Sequence, residues 1–463
     1  MFSPLQALHF TGIGGIGMSA LARLAHAAGV RVSGSDLKAS PATAQLAALG
    51  ISVAEGHHAA NVPPEAEALV MTSAAAADNP EILEARRRGL PVAARGELLG
   101  AVLRRRRAAV AAGSHGKTTV TSLLAAIAIE AGLDPTVAVG AFLPTLGHAN
   151  ARFGGGEWFI AESDESDGSF LEIHAQLAVL TNIDREHLDH YGGFEAARAA
   201  FVKFANQVEL AGTLVACLDD DEVRGVLPRI RRRVVTYGRR EGAALRITGE
   251  RNHARGSDFR LSRDGAPLGD FHLTLLGAHN VLNAAAAVGA AQAMGIGVEA
   301  ARRALAGFAG PSRRMERKGE AQGVMVIDDY GHHPAEIRAT LAALRLLAPR
   351  RLVVLFQPHR YSRTQALLED FATAFGDADA VRVLDIYAAS EPPMEGVTGE
   401  AVARRIREAG HPDAVYAGSP GEAAVAAAAE SRPGDLIVTL GAGNVTDAGP
   451  LILRGLSEAP AHG

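Results

Sequence analysis

A short apolar strand, a glycine loop and an alanine-rich helix follow one another repeatedly along this chain of 463 residues. The clearest strand and helix pairs are 7–10 with 18–28, 108–112 with 118–130, and 351–356 with 364–375. Strands that alternate with helices favour parallel sheets that carry helices on their faces. The sequence therefore predicts an α/β fold class with mostly parallel sheets.

The chain length predicts about three domains, at roughly 150 residues each. A basic run at 104–107 precedes a new strand–loop–helix unit, and a helix ends in glycine and proline at 307–312. Boundaries at these two places divide the chain into domains 1–106, 107–310 and 311–463.

Composition excludes several classes of protein. Cys217 is the one cysteine, so an intramolecular disulfide and a cysteine zinc cluster are both impossible. The formal net charge is −5, and the basic runs 104–107 and 229–233 contain no aromatic residues, so no nucleic-acid partner is expected. The uncharged stretch 281–298 is too rich in alanine to favour membrane insertion. With no signal-peptide pattern at the N-terminus, we expect a cytoplasmic enzyme without a membrane segment.

The first glycine loop has the spacing G-x-G-x-x-G. Gly12, Gly14 and Gly17 follow the strand 7–10, and Asp36 lies after a second predicted strand at 30–33. Glycines at this spacing let the backbone approach a diphosphate at a helix N-terminus. The loop predicts a diphosphate site, but a dinucleotide, a UDP-sugar and a ligand-free glycine turn all stay open.

The second glycine loop predicts an ATP site. Gly113, Ser114, His115, Gly116, Lys117, Thr118 and Thr119 join the strand 108–112 to the helix 118–130. Backbone N–H groups at such a loop hold phosphates, the lysine reaches the β and γ oxygens, and a threonine hydroxyl holds Mg²⁺.

Two further strands end in candidate metal ligands. Glu162 follows the predicted strand 158–161, and His187 comes shortly after the predicted strand 177–183. Polar groups at the carboxyl ends of strands beside such a loop point into the cleft of a parallel sheet. Glu162 is the strongest candidate for a phosphate-bound Mg²⁺, and His187 is a second candidate for metal or phosphate.

The last third of the chain repeats this arrangement. Polar residues at 328–334 follow a predicted strand at 324–327, and those at 357–363 follow the strand 351–356. A third predicted strand, 434–440, runs into a glycine turn. Among these residues His359, Arg360 and Arg363 suit a carboxylate or a phosphate, because arginine binds such oxygens bidentately.

Taken together, these segments resemble the Mur ligase family. The matching segments occur in one order over nearly the whole length: HFTGIGGIGMSALA, SGSD, DNPEI, GSHGKTT, AESDESDGSF, TNIDREHLDHYGG, LGAHNVLNA, RRMERKGE, DDYGHHPAEI, FQPHRYSRT, DIYAASE and TLGAGN. The resemblance implies three α/β domains: a Rossmann-like N-terminal domain, a central P-loop ATPase-like domain and a C-terminal Rossmann-like domain. The segments DESDGSF, HLDHYGG, DDYGHHP and FQPHRYSRT favour the alanine-adding branch of the family.

The resemblance also implies a reaction. ATP phosphorylates the lactyl carboxylate of UDP-N-acetylmuramate, and the amine of L-alanine attacks the acyl phosphate, in the synthesis of peptidoglycan precursors. The implied cofactors are ATP and two Mg²⁺ ions. The implied partners are small-molecule substrates, and the implied oligomeric state is a monomer or a homodimer. Since the ATP site of the family draws on the second and third domains, closure of the domains is expected.

Residue by residue, the resemblance assigns the following roles. Lys117, Glu162, His187 and Arg314 are the expected catalytic residues, and Thr118, Glu162 and His187 the metal ligands. The UDP-sugar is expected at Gly12, Gly14, Gly15, Gly17, Asp36 and Ser73. ATP is expected at 113–119, His279, Asn280, Asn283, Arg314, Asp329, Tyr330 and His332, and the substrate carboxylate or amine at His359, Arg360 and Arg363.

The chain departs from the family pattern at a few positions. Ser114 stands where threonine is usual, and Glu186 stands where aspartate is usual. Several relatives carry a carbamylated lysine after the histidine motif, but Val202 occupies that place here and Lys203 is one residue away. No carbamylated lysine is therefore predicted.

Three alternatives stay open at this stage. A murein tripeptide-recycling ligase acting on UDP-N-acetylmuramate would differ in its amine substrate. A nicotinamide oxidoreductase would explain the first glycine loop but not the second. A non-catalytic nucleotide-binding regulator would not need Lys117, Glu162 and His187.

Overall fold

A computed structural model describes residues 1–2, 4–389 and 391–458. The last five residues assigned to the third domain therefore lie outside the described residues. The chain forms two compact units. Unit 1 contains 1–250, 258–274 and 280–309, and unit 2 contains 251–257, 275–279 and 310–463. The two predicted boundaries are not tested by this division, which joins the first two sheets described below in one unit.

The first sheet has five parallel strands in the order β3-β2-β1-β4-β5. Its elements are β1 (Ala7–Thr11), α1 (Ile16–Ala27), β2 (Arg31–Asp36), α2 (Pro41–Ala48), β3 (Ser52–Glu55), β4 (Ala68–Met71), α3 (Pro80–Arg87), β5 (Val92–Ala94) and α4 (Arg95–Leu103). The chain runs outward from β1 to β3 and then returns to the other side of β1. The loop after β1 therefore lies where the strand order reverses, which is where open α/β sheets bind ligands.

The central sheet has ten strands in the order β15-β14-β13-β12-β11-β10-β6-β9-β7-β8. Its strands are β6 (Arg107–Ala112), β7 (Thr136–Leu143), β8 (Ala149–Arg152), β9 (Trp158–Glu162), β10 (Leu177–Leu180), β11 (Thr213–Cys217), β12 (Arg233–Gly238), β13 (Leu245–His253), β14 (Gly256–Arg263) and β15 (Ala266–Leu273). Its helices are α5 (Lys117–Glu130), α6 (Leu188–Tyr191), α7 (Phe194–Asn206), α8 (Asp221–Val226), α9 (Ala278–Ala293) and α10 (Val298–Ala306). β6 pairs in parallel with β9 and β10, so the loop that follows it lies between the ends of both.

The third sheet, in unit 2, has six strands in the order β16-β17-β21-β18-β19-β20. Its strands are β16 (Glu316–Ala321), β17 (Val324–Asp329), β18 (Arg351–Phe356), β19 (Ala380–Val383), β20 (Ala414–Tyr416) and β21 (Asp435–Leu440). Its helices are α11 (Pro334–Arg345), α12 (Tyr361–Ala366), α13 (Leu368–Ala372), α14 (Gly399–Glu408), α15 (Pro420–Glu430) and α16 (Ala448–Glu458). β16 is antiparallel to β17, and the other strand pairs are parallel.

Hydrophobic packing explains both units. In unit 1 a continuous cluster of buried side chains extends from Phe10 in the first sheet to Phe159 in the central sheet. In unit 2 the strand β18 is apolar on both faces, because Leu352, Val354 and Phe356 pack into one cluster while its alternate residues pack into another. Side chains of alternate strand residues point to opposite faces, so a strand covered on both sides reads as a continuous apolar run. The predicted α/β fold with mostly parallel sheets is confirmed.

One predicted element is wrong in extent, the helix at 364–375, while the others agree with the structure to within three residues at each end. The strand predicted at 177–183 ends at Leu180, because Thr181 turns toward the second glycine loop. The helix predicted at 364–375 is two short helices, α12 and α13, with a break at Leu367. In the first of these the Thr364 hydroxyl donates to the carbonyl of Arg360 at 2.7 Å, a local bond that competes with regular helix geometry.

The predicted lack of membrane-spanning character can be compared with the helices themselves. The uncharged stretch at 281–298 forms most of α9 and the start of α10, and most of its α9 side chains are buried. Of the helices in the described part of the chain, none combines the length and the apolar character that crossing a bilayer requires.

Candidate functional site

The second glycine loop needs glycine at two positions. Gly113 has φ +131°, and a Cβ there would lie 2.1 Å from the hydroxyl oxygen of Thr181. Gly116 has φ +83°, and a Cβ there would lie 2.5 Å from Oδ1 of Asn283. The loop is therefore closely packed between the segment after β10 and the first turns of α9, and it opens α5 at its C-terminal end.

The segment after β10 holds this loop by hydrogen bonds. The N–H of His115 donates to Oδ1 of Asn182 at 2.8 Å, and the N–H of Ser114 donates to the Asn182 carbonyl at 3.2 Å. The Ser114 hydroxyl accepts from the N–H of Asp184 at 2.8 Å, and Nε2 of His115 lies 2.9 Å from Oδ2 of Asp184. The serine that replaces the usual threonine thus has a defined partner.

Lys117, at the start of α5, is paired with a carboxylate. Its ammonium nitrogen lies 2.9 Å from an oxygen of Glu165 and donates to the carbonyls of Gly113 at 2.7 Å and Ser114 at 2.9 Å. Burial acts to lower the pKa of Lys117, but the nearby carboxylates of Glu165 and Asp164 raise it above its usual range. The lysine therefore stays charged and points back over the loop, as a phosphate-binding lysine must.

Thr118 and Glu162 are brought together as predicted. The Thr118 hydroxyl donates to Oε2 of Glu162 at 2.8 Å, and Glu162 is the last residue of β9, in register with Ala111 of β6. Gly140 gives the carboxylate its space, since a Cβ there would lie 1.8 Å from Oε1 of Glu162. A hydroxyl and a carboxylate are hard oxygen donors of the kind that Mg²⁺ takes beside phosphates, so this pair fits the ion.

His187 lies in a different group. It has φ +54° at the start of α6, and its ring can share an ion with Glu165 and Glu186, because ligand atoms of the three residues lie within 4.8 Å of one another. The sequence predicts His187, together with Thr118 and Glu162, as a metal ligand. The structure adds Glu165 and Glu186 as candidate metal ligands, and Glu165 is also the partner of Lys117.

The first glycine loop is held by β2. The N–H groups of Gly12 and Ile13 both donate to the Ser35 carbonyl at 2.9 Å, and the N–H of Gly14 donates to Oδ2 of Asp36 at 2.8 Å. Gly12 has φ +78°, and a Cβ there would lie 2.6 Å from the Thr72 methyl group. Asp36 therefore contacts the loop itself.

The other predicted residues of this first site surround that loop. Gly15 precedes α1, and Gly17 is the second residue of the helix. Ser73 is exposed in the turn after β4. A loop at a strand-order reversal, with glycines before a helix, has the geometry that accepts a diphosphate.

Beneath the first loop lies a buried carboxylate. Glu81 of α3 accepts hydrogen bonds from Ser35 at 2.6 Å, Thr11 at 2.8 Å and Asn61 at 2.8 Å, and Nε2 of His9 lies 3.3 Å away. Burial acts to raise the pKa of Glu81, but the hydrogen bonds, that of His9 first, lower it to about 2. Because Thr11 is the last residue before the loop and the Ser35 carbonyl holds the loop's N–H groups, Glu81 fixes the base of the first site.

The segment predicted to receive adenine falls into two parts. Asn280 and Asn283 are buried in the first turns of α9 in unit 1, where the Asn283 amide donates to Oδ1 of Asn280 at 3.1 Å. Asn283 also borders Gly116 of the second loop. His279 belongs to unit 2, beside Gly277.

In unit 2, Asp329, Tyr330 and His332 gather at the end of β17. Asp329 is buried and accepts from the N–H groups of Met315 at 2.8 Å and Gly331 at 2.9 Å. Burial raises the pKa of Asp329. The guanidinium of Arg314 lies 5.1 Å from the Tyr330 ring centre, in cation–π contact. The structure thus brings Arg314, Asp329 and Tyr330 together.

The predicted carboxylate clamp after β18 also forms one cluster. The ring of His359 stacks on Tyr387 with centres 5.5 Å apart, and Nη1 of Arg363 lies 3.3 Å from Nδ1 of His359. Burial, with the nearby His332 and arginines, lowers the pKa of His359 to about 3, so its ring is neutral. Arg360 differs, because its Nε donates to Glu391 at 2.5 Å and Glu391 also accepts from Ser362.

Several residues in these clusters were missed by sequence reasoning. No site role is predicted from the sequence for Glu165, which lies in an acidic segment, or for Glu81 and Glu391, which lie in the motifs DNPEI and DIYAASE. The repeated acids in AESDESD were a signal that more than one carboxylate faces the second loop. Val202, at the place of the modified lysine, is buried, and Lys203 is exposed on α7. The absence of carbamylation stays a prediction.

Comparison with protein families gives three matches. Residues 7–107 match "Mur ligase family, catalytic domain", residues 111–291 match "Mur ligase middle domain", and residues 313–443 match "Mur ligase, glutamate ligase domain". The UDP-N-acetylmuramate–L-alanine ligase of Solibacter usitatus is 50% identical over 98% of this chain and 96% of its own length. The protein of the same name from an Anaeromyxobacter species is 49% identical over 98% of each chain.

Solved structures agree with these matches. The UDP-N-acetylmuramate–alanine ligase of Thermotoga maritima superposes with a TM-score of 0.84 at 28% identity, covering 97% of this chain and 98% of that one. A murein peptide ligase of Psychrobacter arcticus has the same fold, with a TM-score of 0.75 at 24% identity and coverage of 98% and 99%. The family and the three-domain fold class predicted from the sequence are confirmed.

Proposed function

The chain belongs to the Mur ligase family, and from this premise we propose that it is an ATP-dependent ligase that joins L-alanine to the lactyl carboxylate of UDP-N-acetylmuramate. The observation that carries the proposal is the pair of glycine loops in unit 1. One loop has a lysine, a threonine and strand-end acids, and the other has none of these in its glycine segment. Relatives of that name, about half identical over the whole chain, support the choice of substrates.

ATP is proposed at the second loop. There Lys117 neutralises charge on the β and γ phosphates. The phosphates then replace Glu165 as the anionic partner of Lys117. Thr118 and Glu162 would hold one Mg²⁺, and Glu165, Glu186 and His187 have the donors for a second. When bound, Mg²⁺ neutralises charge on the transferring phosphoryl group. Since a carboxylate is a poor electrophile, phosphorylation supplies a leaving group, and the protein contributes mainly positioning and charge neutralisation.

The UDP diphosphate is proposed at the first loop. The N-terminus of α1, with Gly15 and Gly17, offers backbone N–H groups to the phosphate oxygens. Asp36 and Ser73 remain proposed contacts of this site, and Asp36 supports the loop through the N–H of Gly14. Glu81 holds the strand ends below it.

Unit 2 is proposed to supply the amino-acid site. Arg363 and the ring of His359 suit the carboxylate of the incoming amino acid. Because the His359 ring is neutral at pH 7, Arg363 supplies the positive charge and His359 supplies a hydrogen bond. Arg360 would need to exchange its bond to Glu391 for a substrate contact, or else act by holding the loop. Arg314, Asp329, Tyr330 and His332 are proposed contacts of the nucleotide. We also propose that the enzyme acts in the cytoplasm, where its nucleotide substrates are made.

The experiment that tests this function follows phosphate release. Purified protein is supplied with ATP, Mg²⁺, UDP-N-acetylmuramate and, separately, L-alanine, glycine, L-serine or the murein tripeptide. Turnover with L-alanine, and a product mass equal to the alanine amide, is expected. Turnover with the tripeptide but not with L-alanine would instead identify the recycling ligase, and binding of NAD at the first loop would favour the oxidoreductase alternative.

A further inference from the structure

Arg95 lies between the start of α1, beside the first glycine loop, and the acidic segment that follows β9. It is the first residue of α4, and its side chain is 17% exposed. On one side it covers the start of α1, where a Cβ on Gly17 would lie 3.1 Å from Cδ and 3.2 Å from Nη1 of Arg95. The glycine at this place in the fingerprint thus makes room for a guanidinium next to the helix N-terminus where the diphosphate is proposed.

On its other side Arg95 contacts two carboxylates of the acidic segment 164–167, which also contains Glu165, the partner of Lys117. Its Nη2 donates to Oδ2 of Asp164 at 3.2 Å and lies 3.6 Å from Oδ2 of Asp167. Asp164 directly precedes Glu165, which holds Lys117. Asp164 and Asp167 thus share one guanidinium.

The helix that begins at Arg95 packs closely against one neighbour. Gly96 and Gly100 face the short 3₁₀ helix Ser169–Glu172, and a Cβ on them would lie 2.3 Å from the Cβ of Ser169 and 2.7 Å from the carbonyl oxygen of Glu172. Close packing of α4 holds the main chain of Arg95 in place, and from there its side chain reaches both α1 and the acidic segment.

We propose that Arg95 is a positioning residue that couples occupancy of the first glycine loop to the arrangement of Lys117 and Glu165 at the second. The proposal rests on the function proposed above. A diphosphate at α1 competes with Asp164 and Asp167 for one guanidinium, since a single cation cannot fully neutralise three anionic groups. Asp164 then turns toward Lys117 and shares its charge with Glu165, which changes the affinity of Lys117 for phosphates. Coupling of this kind is reciprocal between the two ligands.

The test measures the coupling directly. Binding of a non-hydrolysable ATP analogue with Mg²⁺ is followed by calorimetry with and without saturating UDP-N-acetylmuramate. In the wild-type protein the UDP-sugar is expected to change the analogue's affinity by roughly tenfold. In Arg95→Gln this factor is expected to fall to within about twofold of unity, while the analogue alone binds nearly as before, and Arg95→Lys should restore part of the factor.

The controls separate this link from folding and from the proposed function. Arg87→Gln alters an arginine on α3 that is 72% exposed, and it should keep the wild-type factor. Asp167→Asn removes one of the two carboxylates at Arg95 and should lower the factor if Arg95→Gln does not fold. A wild-type factor in a folded Arg95→Gln or Asp167→Asn variant would overturn the link. No coupling in a wild-type enzyme that turns over with L-alanine would do so too, whereas absence of both turnover and UDP-sugar binding refutes the proposed function.

Discussion

The two glycine loops of unit 1 share a backbone plan but differ in where their charges lie. Each follows the strand at which the order of its sheet reverses, and each precedes a helix. In the second loop a cation belongs to the loop itself, and the acids Glu162 and Glu165 face it from a strand end and from the segment beyond. In the first loop the acids Asp36 and Glu81 serve the backbone below, and the nearby cation comes from Arg95 on another helix.

This difference matches the proposed ligands. A triphosphate that reacts needs a metal and a cationic side chain, and the second loop offers oxygen donors for the metal and Lys117 as the cation. A diphosphate that is only held needs fixed N–H groups. At the first loop the carboxylates of Asp36 and Glu81 accept hydrogen bonds that hold the backbone in place. The ligand of a glycine-rich loop is therefore indicated by the acidic residues around the loop as much as by its glycines.

The largest effect that tests the comparison is expected from Lys117→Ala. Turnover should fall by on the order of 10³-fold or more, because phosphate charge loses its buried partner. The affinity for UDP-N-acetylmuramate should stay within about twofold of the wild-type value in the same salt. Phosphate release and calorimetry measure the two quantities.

The matched control for this variant is Lys203→Ala, which removes an exposed lysine of α7 and should leave both quantities unchanged. A folded Lys117→Ala protein that no longer binds the UDP-sugar would contradict the assignment of separate ligands to the two loops.

A smaller effect is expected from Glu162→Gln. The amide keeps the size and one acceptor of the carboxylate but removes the anionic oxygen beside Thr118. Turnover should fall by roughly 10²-fold, and the Mg²⁺ concentration for half-maximal rate should rise by about tenfold. Because the first loop is proposed to work without metal, EDTA should leave UDP-sugar binding unchanged in both proteins.

The control here is Glu157→Gln, at an 81% exposed glutamate just before β9. Loss of UDP-sugar binding on addition of EDTA would break the comparison, because both loops would then depend on a metal. An unchanged Mg²⁺ requirement in Glu162→Gln would remove Glu162 from the ligand set.

The sequence predicts the part of this arrangement that is local. The two glycine loops, at 12–17 and 113–119, are predictable because the strand, the glycines and the helix follow one another directly in the chain. Glu162 is predictable as well, since it ends a strand beside the second loop. Arg314 and Tyr330 are found together for a similar reason, at the start and end of the β16–β17 hairpin.

What the sequence does not predict depends on distant pairs. Glu165 reaches Lys117 across 48 residues, and Glu81 reaches Thr11 across 70. Arg360 pairs with Glu391 across 31 residues, which alters its expected role as a free carboxylate ligand. Such partners are chosen by the packing of sheets and helices, and neither hydrophobic periodicity nor a short motif encodes that packing.

The smallest effect on turnover, but a clear one on stability, is expected from Glu81→Gln. The pKa of Glu81 is lowered to about 2 from an ordinary 4.5, so its ionised form stabilises the folded chain above that ordinary value. This contribution, about 3 kcal/mol at most, is lost as the pH falls from about 4.5 toward about 2. Glutamine should therefore lower the thermal midpoint by several degrees at pH 7 and by progressively less below pH 4.5, because protonated glutamate is as neutral as glutamine.

Thermal unfolding of wild type and variant between pH 7 and pH 3 measures this convergence. The same change at exposed Glu65, also near the first sheet, should leave a small gap that does not vary with pH. At pH 7 the variant should bind UDP-N-acetylmuramate a few-fold more weakly and ATP as before, since Glu81 holds only the strands below the first loop. A gap in midpoint that is constant with pH would show that the carboxylate is not ionised there, and the strands below the first loop would then not be held by an anion.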